Sequence, residues 1–400
     1  MTNTLPRIIC TLESMRWIKS FFKFIVVIIL LAITLLYIFD YEYILKGVRV
    51  VYLTGHKTAY IDDIPYFKNR KIKKGTTQKW SFHENYNKSS APKNLTATNK
   101  ELGTVAYLVI KDNKLFYENY ADSYSNKSLT NSFSMAKSIT TALLFKAIDE
   151  GYIKSLDTKV NTIFPELKGT YANELTVGDL SSMASGLNWN ENYISPFSMT
   201  AKAYYDTNIR DLILDLEVNE KPGKKFKYLS GATQLLGMVI EKTTKQHLAD
   251  YLSKSFWQPM GMESDALWML DGEKSGLEKS YCCIASNARD FGRFGQLWSN
   301  NGKWNNKQLI SENLAKLVQD PRFEESPIYS YGLWLSNYKG KKIFYMRGIL
   351  GQYVISIPED DLIIVRLGHK RSKPGPNRNA GNDFETYIDA AYNMLSQQNN

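Results

Sequence analysis

The chain has 400 residues, 44% hydrophobic and 13% aromatic, enough for one large core or two interlocked lobes, so disorder is not its default. Lys and Arg number 50 against 40 Asp and Glu, a net charge of +10, yet the signs are interleaved. No Lys/Arg-rich run tracks a phosphate backbone, which argues against nucleic-acid binding. Cys10, Cys282 and Cys283 cannot form a disulfide framework. His56, His83, His247 and His369 show no metal-ligand spacing, so neither a metal nor another cofactor is expected.

The first element is the run FFKFIVVIILLAITLLYIF, residues 21–39, whose one charge is Lys23. As a helix it spans about 28 Å, close to the hydrocarbon thickness of a bilayer. Arg7, Arg16, Lys19 and Lys23 lie on its N-terminal side and Asp40 and Glu42 after it. The positive-inside bias therefore puts residues 1–20 in the cytoplasm and the rest in the periplasm or another extracytoplasmic space. No small-x-small cleavage site follows the run, so a single-pass, uncleaved anchor is expected. Without residues 1–39 the remainder carries about +7, a mildly basic surface that reads first as an ordinary solvated one and would also suit anionic lipid or an acidic polymer.

Residues 40–100 are polar and rich in Lys, Asn and Tyr, and read as a stalk. Thr104 to Ile110 and Leu115 to Tyr120 flank Lys111-Asp112-Asn113-Lys114, a hairpin signal. A helix with an apolar stripe of Ile139, Leu143, Ala147 and Ile148 follows Ser134 and ends at Gly151. Residues 152–298 read as a helical lobe. Short strands return at Tyr331 to Leu335, Lys342 to Met346, Tyr353 to Ile357 and Leu362 to Leu367, before a last helix through Phe384 and Leu395. The pattern predicts an α+β domain over 101–400, with one antiparallel sheet built from 101–151 and 299–400.

Four Ser-x-x-Lys matches occur, starting at Ser20, Ser90, Ser134 and Ser336, so the bare pattern decides nothing. Ser20 is in the anchor, Ser90 sits near Pro92 in the stalk, and Ser336 is in an expected hairpin turn. Only Ser134 opens a long amphipathic helix, where Lys137 one turn on can reach back to the hydroxyl. A serine becomes nucleophilic when a neighbour takes its proton, and a lysine can do so once burial lowers its pKa. The helix start adds N–H groups that stabilise an oxyanion. Tyr228 is the candidate proton relay to the leaving group, with Tyr193 as a rival. No G-x-S-x-G elbow exists, which disfavours an α/β-hydrolase.

FSMAKSITTALLFKAIDEG, LTVGDLSSMASGLNWNENY, PGKKFKYLSGATQLLG, FWQPMGMESDALW and MRGILGQYVISIP, in this order, resemble the serine β-lactamase-like, penicillin-recognising superfamily. The likeness covers about 103–397 and is closest to the branch of class C β-lactamases, esterases and 6-aminohexanoate-dimer hydrolases. It implies a helix-flanked antiparallel sheet with an all-helical lobe, and a serine hydrolase acting on a small amide or ester through an acyl-serine. It favours Tyr228 over Tyr193 as the relay. It also implies that Met346-Arg347-Gly348 stands where many relatives have Lys-Thr-Gly. Gly348 then leaves room for substrate, and the N–H groups of Ser134 and Ile349 form the oxyanion hole. Arg347, Ser230 and Trp189 become candidate substrate contacts, with Lys137 as the other partner open to Ser230 and core packing competing for Trp189. The missing lysine puts β-lactam turnover in doubt; the alternative is a membrane-anchored penicillin-binding or β-lactam-sensing protein, or a β-lactamase. Glu191 reads as an exposed loop carboxylate, and Trp268 and the Cys282-Cys283 pair as packing.

Overall fold

The computed structural model describes residues 5–121, 123–374 and 380–397. Helix α1 (Leu5–Ile38) is followed by α2 (Tyr43–Gly47), β1 (Asn69–Ile72) and α3 (Lys93–Leu102). The strands β2 (Thr104–Lys111) and β3 (Lys114–Tyr120) precede β4 (Thr130–Asn131) and α4 (Ala136–Asp149). Next come α5 (Val177–Ser181), α6 (Met199–Tyr205), α7 (Ile209–Leu214), α8 (Ser230–Thr244), α9 (Leu248–Leu252), β5 (Ala266–Met269) and β6 (Ile284–Ser286). Helix α10 (Ala288–Ser299), β7 (Lys303–Trp304), β8 (Lys307–Gln308) and α11 (Glu312–Lys316) lead to β9 (Trp334–Tyr338), β10 (Lys341–Gly348), β11 (Gln352–Ile357), β12 (Leu362–Gly368) and α12 (Asp383–Ser396).

The central sheet has the order β3-β2-β12-β11-β10-β9, all antiparallel, and joins both ends of the domain as expected. Its first hairpin closes at Asp112 and Asn113, both with positive φ, the two-residue geometry that suits strand twist. Alternation then sorts the side chains. Leu108, Ile110, Ile363, Val365 and Val354 belong to one core cluster, and Tyr107, Val109, Ile364, Tyr353 and Ile355 to another, which includes Phe384, Tyr387 and Ile388 of α12. Against the first face lies α10, where a Cβ on Gly295 would come 2.7 Å from Val354 Cγ1. Residues 288–298, expected in the helical lobe, therefore belong to the sheet layer.

The expected stalk is a larger departure. Only the part next to α1 connects; β1 pairs with β5 in register Asn69 to Met269, and Val50, Ile61, Ile64, Ile72 and Trp80 are core residues. A second sheet, β1-β5-β6-β4, thus ties residues 40–100 into the enzyme. Lys, Asn and Tyr hid these few apolar anchors, and a strand as short as β1 carries almost no periodic signal.

Helix α4 is not amphipathic but buried on every side from Ala136 to Phe145. Its polar groups are satisfied internally: Ser138 Oγ donates to Gly332 O at 2.6 Å and Thr140 Oγ1 to Ser280 O at 2.8 Å. Such a helix fits the centre of a domain, between lobe and sheet. Strand β9 begins three residues later than expected, so Ser336 lies in the strand and the turn falls at Lys339 and Gly340, both at positive φ.

Within α1, Met15–Ile38 is long and apolar enough to cross a membrane, and none of its most apolar window is buried against the protein.

Candidate active site

Ser134 lies in the 3₁₀ turn Phe133–Met135 that leads into α4. The turn is sharp, with Phe133 at φ 45°, a region costly for a bulky residue unless its surroundings hold it. They do: Asn131 Oδ1 accepts the Phe133 N–H at 2.9 Å, and Asn131 Nδ2 donates to Asp63 at 3.0 Å. Asp63 also accepts the Tyr204 hydroxyl at 2.7 Å. Burial pushes the Asp63 carboxyl up to about 6, against these hydrogen bonds, which pull it down. No sequence pattern marked Asp63, which sits in the segment read as stalk.

One helical turn on, Lys137 Nζ donates to Ser134 Oγ at 3.1 Å and to Tyr281 O at 2.8 Å. The side chain is buried, and that burial lowers its pKa from 10.5 to about 8, while the charge of Glu191 works in the opposite direction. The Tyr228 ring centroid is 5.0 Å from Lys137 Nζ. Burial, then Glu191, push the Tyr228 phenol up, opposed by its interaction with Ser134 and by Arg347. Trp334 stacks on Tyr228 with centroids 5.3 Å apart.

Glu191 is no idle loop carboxylate. It accepts from Trp189 Nε1 at 2.7 Å, from the Ser230 N–H at 2.6 Å, from Ser230 Oγ at 2.7 Å, and from the Tyr193 hydroxyl. Ser230 therefore bonds Glu191 rather than Lys137, although it lines the pocket at Ser134. Trp189, 3% exposed, packs in the core and orients Glu191 by its indole; it does not form a wall of the cleft. Tyr193 keeps its hydroxyl on Glu191 while half its surface is exposed.

Two cavities meet at Ser134. One, about 100 Å³, is lined by Phe133, Tyr204, Tyr205, Tyr281, Cys282 and Ile349 and is mostly apolar. The other, about 650 Å³, is lined by Tyr228, Trp334, Arg347, Gly348, Lys370 and Arg371. Arg347 thus faces the cleft, its guanidinium 4.8 Å from the Trp334 ring centroid. Among the described residues none of these three cations has an ion pair. Gly348 lines this cleft too, but a Cβ there would meet Ser132 O at 2.3 Å, so its bareness lets β10 close on the Ser134 turn. Arg366 holds the next loop: its Nη1 donates to Leu350 O and Gly351 O, both at 2.9 Å. Trp268, Cys282 and Cys283 are buried in the core as expected, and the two cysteines form a vicinal disulfide, with Cys282 lining the apolar pocket. The disulfide staples no distant segments.

Residues 93–387 match the family described as Beta-lactamase. The chain belongs to the beta-lactamase family. It is a serine hydrolase of that superfamily, whose fold it shares. The 6-aminohexanoate-dimer hydrolase of Paenarthrobacter ureafaciens is 22% identical over 301 residues, covering 70% of this chain and 75% of the relative. A Bacillus anthracis structure assigned as a 6-aminohexanoate-dimer hydrolase superposes with a TM-score of 0.70 at 21% identity, covering 88% of this chain and 94% of that one. A family VIII carboxylesterase superposes at 0.59 with 15% identity, over 79% of this chain and 99% of its own. For this family member the ordered blocks pointed the right way, while Asp63, Asn131 and Arg366 lie outside them and Glu191, inside one, was read as an exposed loop carboxylate.

Proposed function

We propose that this beta-lactamase-family enzyme cleaves an ester or linear amide through an acyl-Ser134 intermediate. The observation that carries the reading is the 3.1 Å contact between Ser134 Oγ and the buried Lys137 Nζ. Neutral Lys137 takes the Ser134 proton as Oγ attacks the carbonyl carbon. The N–H groups of Ser134 and Ile349 receive the oxyanion. Tyr228 passes the proton held by Lys137 on to the departing alcohol or amine; water then gives a proton to the same pair as its oxygen attacks the acyl carbon, and that proton returns to Ser134 Oγ as the acid leaves. Glu191 holds the loop and Ser230 in place around this pair. The substrate carbonyl sits where the apolar pocket meets the basic cleft, with an anionic group of the substrate toward Arg347, Lys370 and Arg371.

That basic wall also supports a second reading, a penicillin-binding or β-lactam-sensing protein, since a β-lactam carries a carboxylate. Intact mass after incubation with a fluorophosphonate and, separately, a penicillin separates the two. Hydrolase action predicts a stable phosphonyl adduct on Ser134 and a penicilloyl adduct that is absent or short-lived. A long-lived penicilloyl adduct would favour the second reading, and full activity in Ser134→Ala would remove both.

Helix α1 serves in this proposal as an uncleaved anchor, with the N-terminus in the cytoplasm and the hydrolase outside. Cys10 should then react with an impermeant thiol reagent only after the cell is opened.

A further inference from the structure

The link between α1 and the enzyme is only residues 39–42, at most about 14 Å of fully extended chain, and it is not slack. The Tyr41 N–H donates to Leu36 O at 2.7 Å, and the Tyr41 ring packs edge-on against Phe197 with centroids 5.1 Å apart. On the domain side, the Tyr43 hydroxyl donates to Pro196 O at 3.0 Å. The tether is thus fastened both to the helix and to the loop through Tyr193 and Phe197.

Exposed apolar side chains gather at this point. Ile194 is 95% and Leu53 77% exposed, with Tyr52, Val48 and Phe197 also open to solvent. Tyr52, Val48 and Ile194 line one groove with Pro196 and Tyr205. Isolated exposed apolar residues need no explanation, but a clustered patch marks a contact surface. Lys57 in the groove and Arg49 beside Val48 are exposed, and among the described residues neither has an ion pair. Aromatic and aliphatic tips mixed with free cations suit the headgroup layer of an anionic bilayer.

We infer that this patch docks on the surface of the bilayer that α1 crosses, seating the hydrolase flat on the membrane. The inference rests on the proposed anchor role of α1. The catalytic cavities share Thr58 and Tyr193 with the groove, so the cleft mouth opens beside the headgroups. Its substrates are accordingly amphiphilic esters or amides held at the membrane surface, reached without release into bulk water.

The test uses the full chain, Cys10→Ser, in phosphatidylglycerol/phosphatidylcholine vesicles. A nitrobenzoxadiazole label is placed at Leu53→Cys, Ile194→Cys, Leu31→Cys in α1, or Tyr152→Cys beyond the far end of α4. Bromines at shallow acyl positions should quench Leu53 and Ile194 about fivefold more than Tyr152, and deep bromines should quench Leu31. Quenching at Leu31 with none at Leu53 or Ile194 overturns the docking while leaving the anchor intact. No quenching at Leu31 overturns the anchor and the docking with it. Shielding of Leu53 that follows protein density and ignores bromolipid assigns the patch to a second copy of the chain and also overturns the proposal. In activity, the double variant Leu53→Asp/Ile194→Asp should keep turnover of a soluble p-nitrophenyl ester in detergent and lose about tenfold on a vesicle-embedded ester; equal rates on the embedded ester would contradict it.

Discussion

The two walls of the cleft are built on opposite plans. On the α4 side, the buried Lys137, Asn131 and Asp63 and the half-buried Ser134 form a hydrogen-bonded set in which each group has its partner fixed. On the β10 side, Arg347, Lys370 and Arg371 stand around an open volume whose described lining holds no carboxylate. Buried polar groups demand partners and so hold one geometry. Partly solvated cations do not, and are free to meet a ligand. In the proposed mechanism the first wall therefore carries the reaction, and the second selects which molecules undergo it. They touch at Gly348 against Ser132.

The largest effect should come from the first wall. Lys137→Ala removes the proposed base and should lower kcat/KM for any ester by about a thousandfold, while circular dichroism stays native. A parallel loss of fold would make Lys137 a structural residue instead.

Next is the junction. Gly348→Ala forces a methyl onto Ser132 O, so β10 or the Ser134 turn must move. The expected cost is about 1–3 kcal/mol of stability, together with a fall in acylation rate. Differential scanning calorimetry and fluorophosphonate labelling read the two separately, and an unchanged melting temperature would show that the walls do not press on each other.

This junction also shows what was legible in the chain. The Ser134–Lys137 pairing was legible because a short local spacing at a helix start has a direct chemical meaning, and the two side chains do meet at 3.1 Å; Tyr228 was set apart from Tyr193 only by the family resemblance. The sheet could be read because β2, β3 and β10 to β12 alternate or turn in recognisable ways. Asp63, Arg366 and Glu191 could not, since each matters through partners far away in sequence or through a loop fold that no period encodes. Gly348 was read as space for substrate, yet its constraint is a backbone contact with residue 132. Of the two readings open for Trp189, cleft wall and core packing, the structure bears out core packing, with its indole N–H spent on Glu191.

A smaller change follows from Glu191→Gln. The carboxylate charge raises the pKa of Lys137, so its removal should shift the alkaline rise of kcat/KM to lower pH, with a modest loss in rate from the loosened Ser230 and Tyr193. A shift to higher pH would mean that Glu191 acts on the base in some other way. The smallest effect belongs to the second wall: Arg347→Ala should weaken kcat/KM for a carboxylate-bearing ester by about tenfold and leave a neutral ester nearly unchanged. Equal losses on both esters would indicate that Arg347 supports Trp334 and Tyr228 rather than selecting substrate.

The protonation of Lys137 is the centre of the account, and the pH dependence of Ser134 phosphonylation reads it most directly. Burial lowers the folded-state pKa to about 8, so in the proposed mechanism the lysine is charged and idle below that pH and serves as the base above it. Over the same interval, up to the ordinary lysine value of 10.5, the unfolded chain holds the proton more tightly, so stability should also gain from rising pH. The predicted result is a single ionisation with a midpoint near 8 in the wild-type rate, absent in Lys137→Ala. A wild-type rate that shows no rise until the ordinary lysine range would contradict the account.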